Sequence, residues 1–352
     1  MSVFVSQTDP TIGQQGADGT SRSTILDLAE FDPVFIVGFP RSGTTLLAVM
    51  MDRHPLVAIG PESHFIEVAE NIDLPDRTDQ PETWINRLLA APRLCDLGLR
   101  SEWVLSKLPT HRAVRAPEMF AAILLAYTAD RGKSMAGEKT PTHLLHLPML
   151  LDWFPKARAL CVQRDGRDAV ASLLQVPWRN HSSVRIYALQ WEKFMHRMET
   201  AMQMFPDRVM PVRYENLVQN PEKTLREIDH FIGVDFDPAQ LNVTRPTETV
   251  PQWETRWKAT ATADRPNAEH LGLWRTRLSP PEKVTIQGTI YHSLRSGGYL
   301  SPEEQSFFKS IRHRFNCNLL LRHGFFRKIY LKFIRHSQTY KHREHAFPRE
   351  KQ

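Results

Sequence analysis

The first sustained apolar run, Pro33-Val34-Phe35-Ile36-Val37-Gly38, is continuous rather than alternating and rich in β-branched residues. That pattern predicts a strand buried on both faces, as in a parallel sheet. The loop Phe39-Pro40-Arg41-Ser42-Gly43 interrupts it, and Thr44 to Met51 then reads as a helix. Strand, glycine-bearing loop and helix in that order open a βαβ unit. A second run, Ala157 to Gln163, leads through the turn Arg164-Asp165-Gly166-Arg167-Asp168 into a helix over Ala169–Leu174. A third, Val209 to Tyr214, follows, and helical stretches over Ser183–Met204 and Pro221–Phe231 lie around it. Strands alternating with longer helical segments predict an α/β fold with a central parallel sheet flanked by helices.

Polar patterning sets the expected limits of that domain. Residues 1–30 are rich in Gly, Ser, Thr, Gln and Asp and read as a disordered lead-in, with neither the basic start nor the apolar stretch of a secretory signal. The domain is expected over 31–300, with Thr244–Asn267 as a long polar loop holding Pro246, Pro251 and Pro266. Residues 301–352 form a basic amphipathic extension. No run of eighteen apolar residues occurs anywhere, so no spanning helix is predicted.

Charge changes the picture once it is located. The net charge is +6, but residues 301–352 alone hold 12 Lys/Arg against 4 Asp/Glu. The rest of the chain is slightly acidic, which argues against a nucleic-acid-binding body. Between Lys309 and Arg343 ten basic residues and no acidic ones interleave with Phe315, Leu319, Phe325, Ile329 and Phe333 among others. Such a segment packs its apolar face on the domain, lies peripherally on an anionic membrane surface, or binds a polyanionic partner. The three cysteines, Cys95, Cys161 and Cys317, are scattered. They point to a reducing, cytoplasmic setting and to structural burial of each.

The candidate chemistry starts at Gly38-Phe39-Pro40-Arg41-Ser42-Gly43-Thr44-Thr45. It has the outline of a P-loop, which sharpens the expected fold to a P-loop-type three-layer architecture, but Thr44 stands where an NTPase needs lysine. Backbone N–H groups at the helix start still form an anion nest, and Ser42, Thr44 and Thr45 add hydroxyl donors. What is missing is the flexible cation that reaches a triphosphate; Arg41 offers a different one. Arg164 presents a planar fork suited to a phosphate, and Ser172, two turns into the next helix, can add a hydroxyl. Read without function, the first loop is a glycine turn and the second a charged surface turn.

Together these residues resemble the PAPS-dependent sulfotransferase family, whose donor is 3′-phosphoadenosine 5′-phosphosulfate. Pro40-Arg41-Ser42-Gly43-Thr44-Thr45-Leu46 is similar to its 5′-phosphosulfate loop. Val162 to Ser172 is similar to its 3′-phosphate motif. The likeness is greatest to the tyrosylprotein-sulfotransferase-like branch and its bacterial relatives, over roughly residues 32–300. The resemblance implies metal-free, in-line transfer of a sulfuryl group to a hydroxyl-bearing acceptor, with PAP as product. It also implies roles. Glu62, in Gly60-Pro61-Glu62-Ser63-His64, would be the general base, with His64 as its rival. Lys139, in Gly137-Glu138-Lys139-Thr140-Pro141, would stabilise charge on the sulfuryl oxygens together with Arg41. Tyr214 would contact the nucleotide, or serve only as a core aromatic. Glu138 is expected to pair with a cation rather than react. Family members often carry a basic residue directly before a late tryptophan. Here Leu273 precedes Trp274, so Arg275, Arg256 or Lys258 would have to substitute. Two readings compete: a P-loop phosphotransferase or NTPase, which Thr44 disfavours, and a non-catalytic nucleotide-binding, membrane-associated module.

Overall fold

The computed structural model describes residues 26–176, 183–243, 249–254 and 268–306. The expected strand, loop and helix appear as β1 (Val34–Gly38) and α1 (Thr44–Asp52). They are followed by β2 (Val57–Ile59) and α2 (Phe65–Asn71). A small excursion comes next, made of β3 (Arg77–Thr78), α3 (Pro81–Ala90), α4 (Ser101–Leu105) and β4 (Val114–Arg115). The main chain path resumes through α5 (Ala116–Asp130), β5 (Met135–Lys139) and α6 (Leu147–Trp153). Then follow β6 (Arg158–Gln163), α7 (Gly166–Leu173), α8 (Val184–Met204) and β7 (Val209–Arg213). The described chain closes with α9 (Tyr214–Gln219), α10 (Pro221–Ile232), α11 (Trp274–Arg277), α12 (Pro280–Thr289) and α13 (Tyr291–Ser296).

Five strands form one parallel sheet in the order β2-β5-β1-β6-β7. All five residues of β1, the middle strand, are buried. Its side chains alternate between two cores, because successive residues of a strand face opposite sides. Val34 and Ile36 join the core built on α1, α9 and α10. Phe35 and Val37 join the larger core that contains α5, α6, α7, α8 and α12. Within the larger core Phe120 stacks on Phe65 with ring centroids 4.3 Å apart and on Phe35 at 6.2 Å. The result is the three-layer α/β arrangement expected from the pattern.

Two sequence-based readings need adjusting. Leu26 and Leu28, inside the stretch expected as a lead-in, are buried in the larger core, and Phe31 meets Phe154 edge to face at 5.5 Å. Cys95 is exposed rather than buried, because it sits on a short surface turn, Leu94–Leu97, whose apolar members face inward instead. Cys161 is buried in β6 as expected, and burial pushes its thiol up to about 12. Cys317, Arg256, Lys258 and the basic extension over 309–343 lie outside the described residues. Among the described residues no helix is long and apolar enough to cross a membrane.

Candidate active site

Every parallel strand delivers a candidate residue at its carboxyl end, the side where open α/β sheets bind ligands. β1 runs into the Arg41–Thr45 loop, β6 into Arg164, and β7 into Tyr214. On the other side β5 ends at Lys139 and β2 is followed by Glu62. Neighbouring strands lie about 4.8 Å apart, so the five ends span roughly 19 Å, the scale of one nucleotide and its substrate. Across the sheet the order is Glu62, Lys139, loop, Arg164, Tyr214.

The loop has the geometry of an anion cradle. Arg41 and Gly43 both adopt positive φ, 70° and 99°. The amide of Ser42 closes the turn onto the Phe39 carbonyl at 3.1 Å. The first amides of α1, from Thr44 onward, have no partner within the helix and carry its positive dipole end. Gly43 is required twice over: besides its φ, a Cβ there would fall 2.3 Å from the Tyr214 ring. Ser42 is fully buried, and its Oγ has no hydrogen-bond partner among the described residues.

The second candidate motif stands against the first. Arg41 Nε donates to Ser172 Oγ at 3.2 Å. Arg164 Nη1 donates to the Arg41 carbonyl at 3.2 Å, and its guanidinium lies 4.3 Å over the Tyr214 ring. The Nε of Arg164 is buried without a partner among the described residues. Buried, unpaired donors are costly in a folded protein and call for a partner, be it water, an ion or a ligand. Arg164 Nε and Ser42 Oγ fit an anionic group bearing oxygens.

The rest of the charged turn is not a surface turn. Asp165 caps α7 by accepting from the Arg167 amide, and it also pairs with the Arg167 guanidinium at 2.7 Å. Arg167 reaches Glu304 and the Tyr299 carbonyl. Asp168 accepts from the amides of Gly272 and Trp274 at 2.7 and 2.8 Å. Arg164 Nη2 donates to the His270 carbonyl at 2.6 Å. These bonds dock the late segment beside the second motif. Arg275, a candidate substitute for the missing late cation, packs on Trp274 at 4.7 Å.

On the other flank, Lys139 Nζ donates to Glu62 Oε1 at 2.6 Å, and Lys139 is fully buried. It therefore cannot be a solvated surface lysine. His64 Nε2 lies 3.1 Å from Glu62 Oε2, so the two rival bases touch each other. Burial acts to lower the His64 pKa, but the hydrogen bond to Glu62 and the negative charge of Glu67 3.9 Å away outweigh it and the pKa is raised.

Behind this pair stand Glu67 and His143, which the sequence did not single out, together with Glu138. Glu67 on α2 accepts from Thr142 at 2.6 Å and faces His143 Nε2 at 3.4 Å. Glu138, expected to pair with a cation, does so with His143 Nδ1 at 3.0 Å, and accepts from Ser63 and Thr140. Burial works against both carboxylates, yet their histidine partners hold them below the usual carboxylate range. Burial also opposes the charge on His143, whose pKa is nevertheless raised to about 10 by Glu138 and Glu67.

Residues 33–238 match the model of a family described as the sulfotransferase family. The chain belongs to that family. Among similar curated proteins is protein-tyrosine sulfotransferase 1 of Danio rerio, 29% identical over 215 residues, covering 59% of this chain and 55% of that protein. Protein-tyrosine sulfotransferase of Drosophila melanogaster is 29% identical over 218 residues, covering 60% and 40%. This sulfotransferase-family chain thus spans about half the length of these curated relatives. The sulfotransferase domain of the Synechococcus PCC 7002 olefin synthase superposes with a TM-score of 0.52 at 21% identity, covering 74% of this chain and 96% of that one. The sulfotransferase domain from the curacin biosynthetic pathway gives the same TM-score at 18% identity. Both share the fold.

Proposed function

We propose that the protein transfers a sulfuryl group from PAPS to an acceptor hydroxyl and releases PAP. The observation that carries this reading is the Arg41 Nε–Ser172 Oγ contact, which joins the two anion cradles into one surface. A nucleotide bearing phosphate at both ends of its ribose has a use for both cradles; ADP has a use for only one.

PAPS would supply an activated bond between sulfur and a phosphate oxygen. The α1 amides, Ser42, Thr44 and Thr45 would hold the 5′ side, and Arg164 with Ser172 the 3′-phosphate. Tyr214 would act chiefly by supporting Gly43 and the Arg164 guanidinium from beneath. Arg41 and Lys139 would meet negative charge on the transferring and leaving oxygens, a preorganised effect that is often the largest in catalysis. Glu62 would accept the proton of the acceptor hydroxyl as its oxygen bonds to sulfur and the bond from sulfur to the phosphate oxygen breaks.

The names of the curated relatives support a tyrosine side chain of a polypeptide as the first acceptor to try. Incubation with radiolabelled PAPS and tyrosine-containing peptides, followed by analysis of the labelled residue, tests the reading. Label on the tyrosine oxygen is the expected result. Label transferred to another hydroxyl would keep the activity and discard the acceptor. Labelled donor left intact across peptide, sugar, lipid and phenol acceptors would overturn the activity.

A further inference from the structure

We infer that His64, Glu67 and His143 are positioning residues for proton transfer at Glu62, acting through one line of alternating charge. The inference rests on the sulfuryl-transfer reading. The line runs Lys139, Glu62, His64, Glu67, His143, Glu138, with successive closest approaches of 2.6, 3.1, 3.9, 3.4 and 3.0 Å. Cation and carboxylate alternate throughout when both imidazoles are protonated, so each interior member has a counter-ion on either side and the set, buried at Lys139, His143 and Glu138 and partly buried between, is neutral. An isolated charge here would carry a desolvation penalty of several kcal/mol, whereas a neutral alternating set offsets it.

The arrangement constrains Glu62 from both sides. Its Oε1 is held by Lys139 and its Oε2 by His64. An anion that draws on Lys139 leaves His64 as the cation that keeps Glu62 ionised and fixes its direction. His64 is itself held in a left-handed backbone conformation, φ 47° and ψ 34°, with its amide bonded to Thr140 Oγ1 at 3.2 Å. For a residue other than glycine that conformation costs on the order of 1 kcal/mol, and such strain concentrates at functional sites. Here it places the ring between Glu62 and Glu67.

Other groups face the line. Thr142 donates to Glu67, and the Phe120 ring of α5 meets His143 edge-on at 6.2 Å. His146 is within electrostatic reach of Glu67 and His143, with Glu70 on α2 and Lys193 on α8 beyond it, and burial holds His146 below the ordinary histidine range. The shifts within the line agree in direction: His64 and His143 raised, Glu67 and Glu138 lowered, all toward the charged forms.

The test compares the pH profile of kcat/KM in the full chain for wild type and for His64→Gln, Glu67→Gln and His143→Gln, with PAP affinity and melting temperature alongside. Loss of the cation beside Glu62 raises the pH at which that carboxylate protonates. The acidic limb of the His64→Gln profile should therefore move up by about one pH unit, and kcat should fall at least about tenfold. His64→Lys should move the limb back, while PAP affinity stays within about threefold throughout. Limbs that coincide with wild type, or turnover and PAP affinity falling together, would overturn the inference. Imidazole NMR of the wild-type chain at neutral pH decides the matter even if a variant fails to fold. Protonated rings at His64 and His143 are expected, and a neutral ring at either breaks the line. Wild type without any PAPS-dependent transfer would instead defeat the functional reading.

Discussion

Arg41, in the loop after β1, and Ser172, on α7, stand 131 residues apart in sequence, yet Arg41 Nε donates directly to Ser172 Oγ at 3.2 Å. The contact bridges the end of β1 and the helix after β6, strands that are neighbours in the sheet. Removing the guanidinium deletes both a preorganised donor and this bridge. Arg41→Ala is expected to lower kcat/KM more than about a hundredfold, since one such donor contributes roughly 3 kcal/mol. Ser172→Ala removes a single hydroxyl and should weaken PAP binding by only about fivefold to tenfold. Steady-state kinetics and calorimetry on both variants check the contrast.

Glu62 and Lys139 should separate chemistry from binding. Glu62→Gln keeps the shape and removes the proton acceptor, so turnover should vanish while PAP affinity stays near wild type. Equal loss of both would make Glu62 structural. Lys139→Met should lower turnover more than about a hundredfold, the scale for one lost electrostatic donor. It should also lower the melting temperature, because it leaves the Glu62 carboxylate without its buried partner.

Gly43 and Tyr214 make a packing prediction. A methyl group at Gly43 would overlap the Tyr214 ring, in a backbone conformation already at φ 99°. Gly43→Ala should therefore weaken PAP binding and stability together. In Gly43→Ala/Tyr214→Ala the overlap is relieved and the φ strain is not. The two changes should couple favourably, by about 0.5–3 kcal/mol in a double-mutant cycle measured by denaturation.

A buried carboxyl on α10 predicts a pH dependence of stability. Asp229 on α10 is buried, its Oδ1 accepts from Gln240 at 3.0 Å, and its Oδ2 has no partner among the described residues. Burial raises its pKa from 3.8 to about 6, with Gln240 and His54 opposing. The folded protein thus favours the protonated acid, a contribution fully present below about pH 4 and lost as pH rises through 6. Asp229→Asn should gain stability relative to wild type by up to roughly 3 kcal/mol between pH 4 and 7. A constant difference in melting temperature across that range would contradict it.

The candidate nucleotide half of the site is legible because its strands advertise themselves. β1, β6 and β7 are apolar runs, each followed by residues with recognisable chemistry. β2 has three residues and β5 reads Met-Ala-Gly-Glu-Lys, so neither pattern marks a strand, although both position the catalytic candidates. Glu138 and Lys139 look like solvent residues in sequence and are buried in the structure. Their partners explain why. Glu67 and His143 stand 76 positions apart and meet only when α2 packs over the end of β5, which no local spacing reveals. Glu62, His64 and Glu67 are close in sequence, but nothing local joins them into one line without Lys139 and His143 brought in from elsewhere.

If two cradles serve one doubly phosphorylated nucleotide, calorimetric titration will separate PAP from ADP. PAP should bind at least about a hundredfold more tightly than ADP, equivalent to roughly 3 kcal/mol from the charge-assisted bonds at Arg164 and Ser172. Arg164→Ala should erase most of that preference. Equal affinities for PAP and ADP in the wild-type protein would contradict the account.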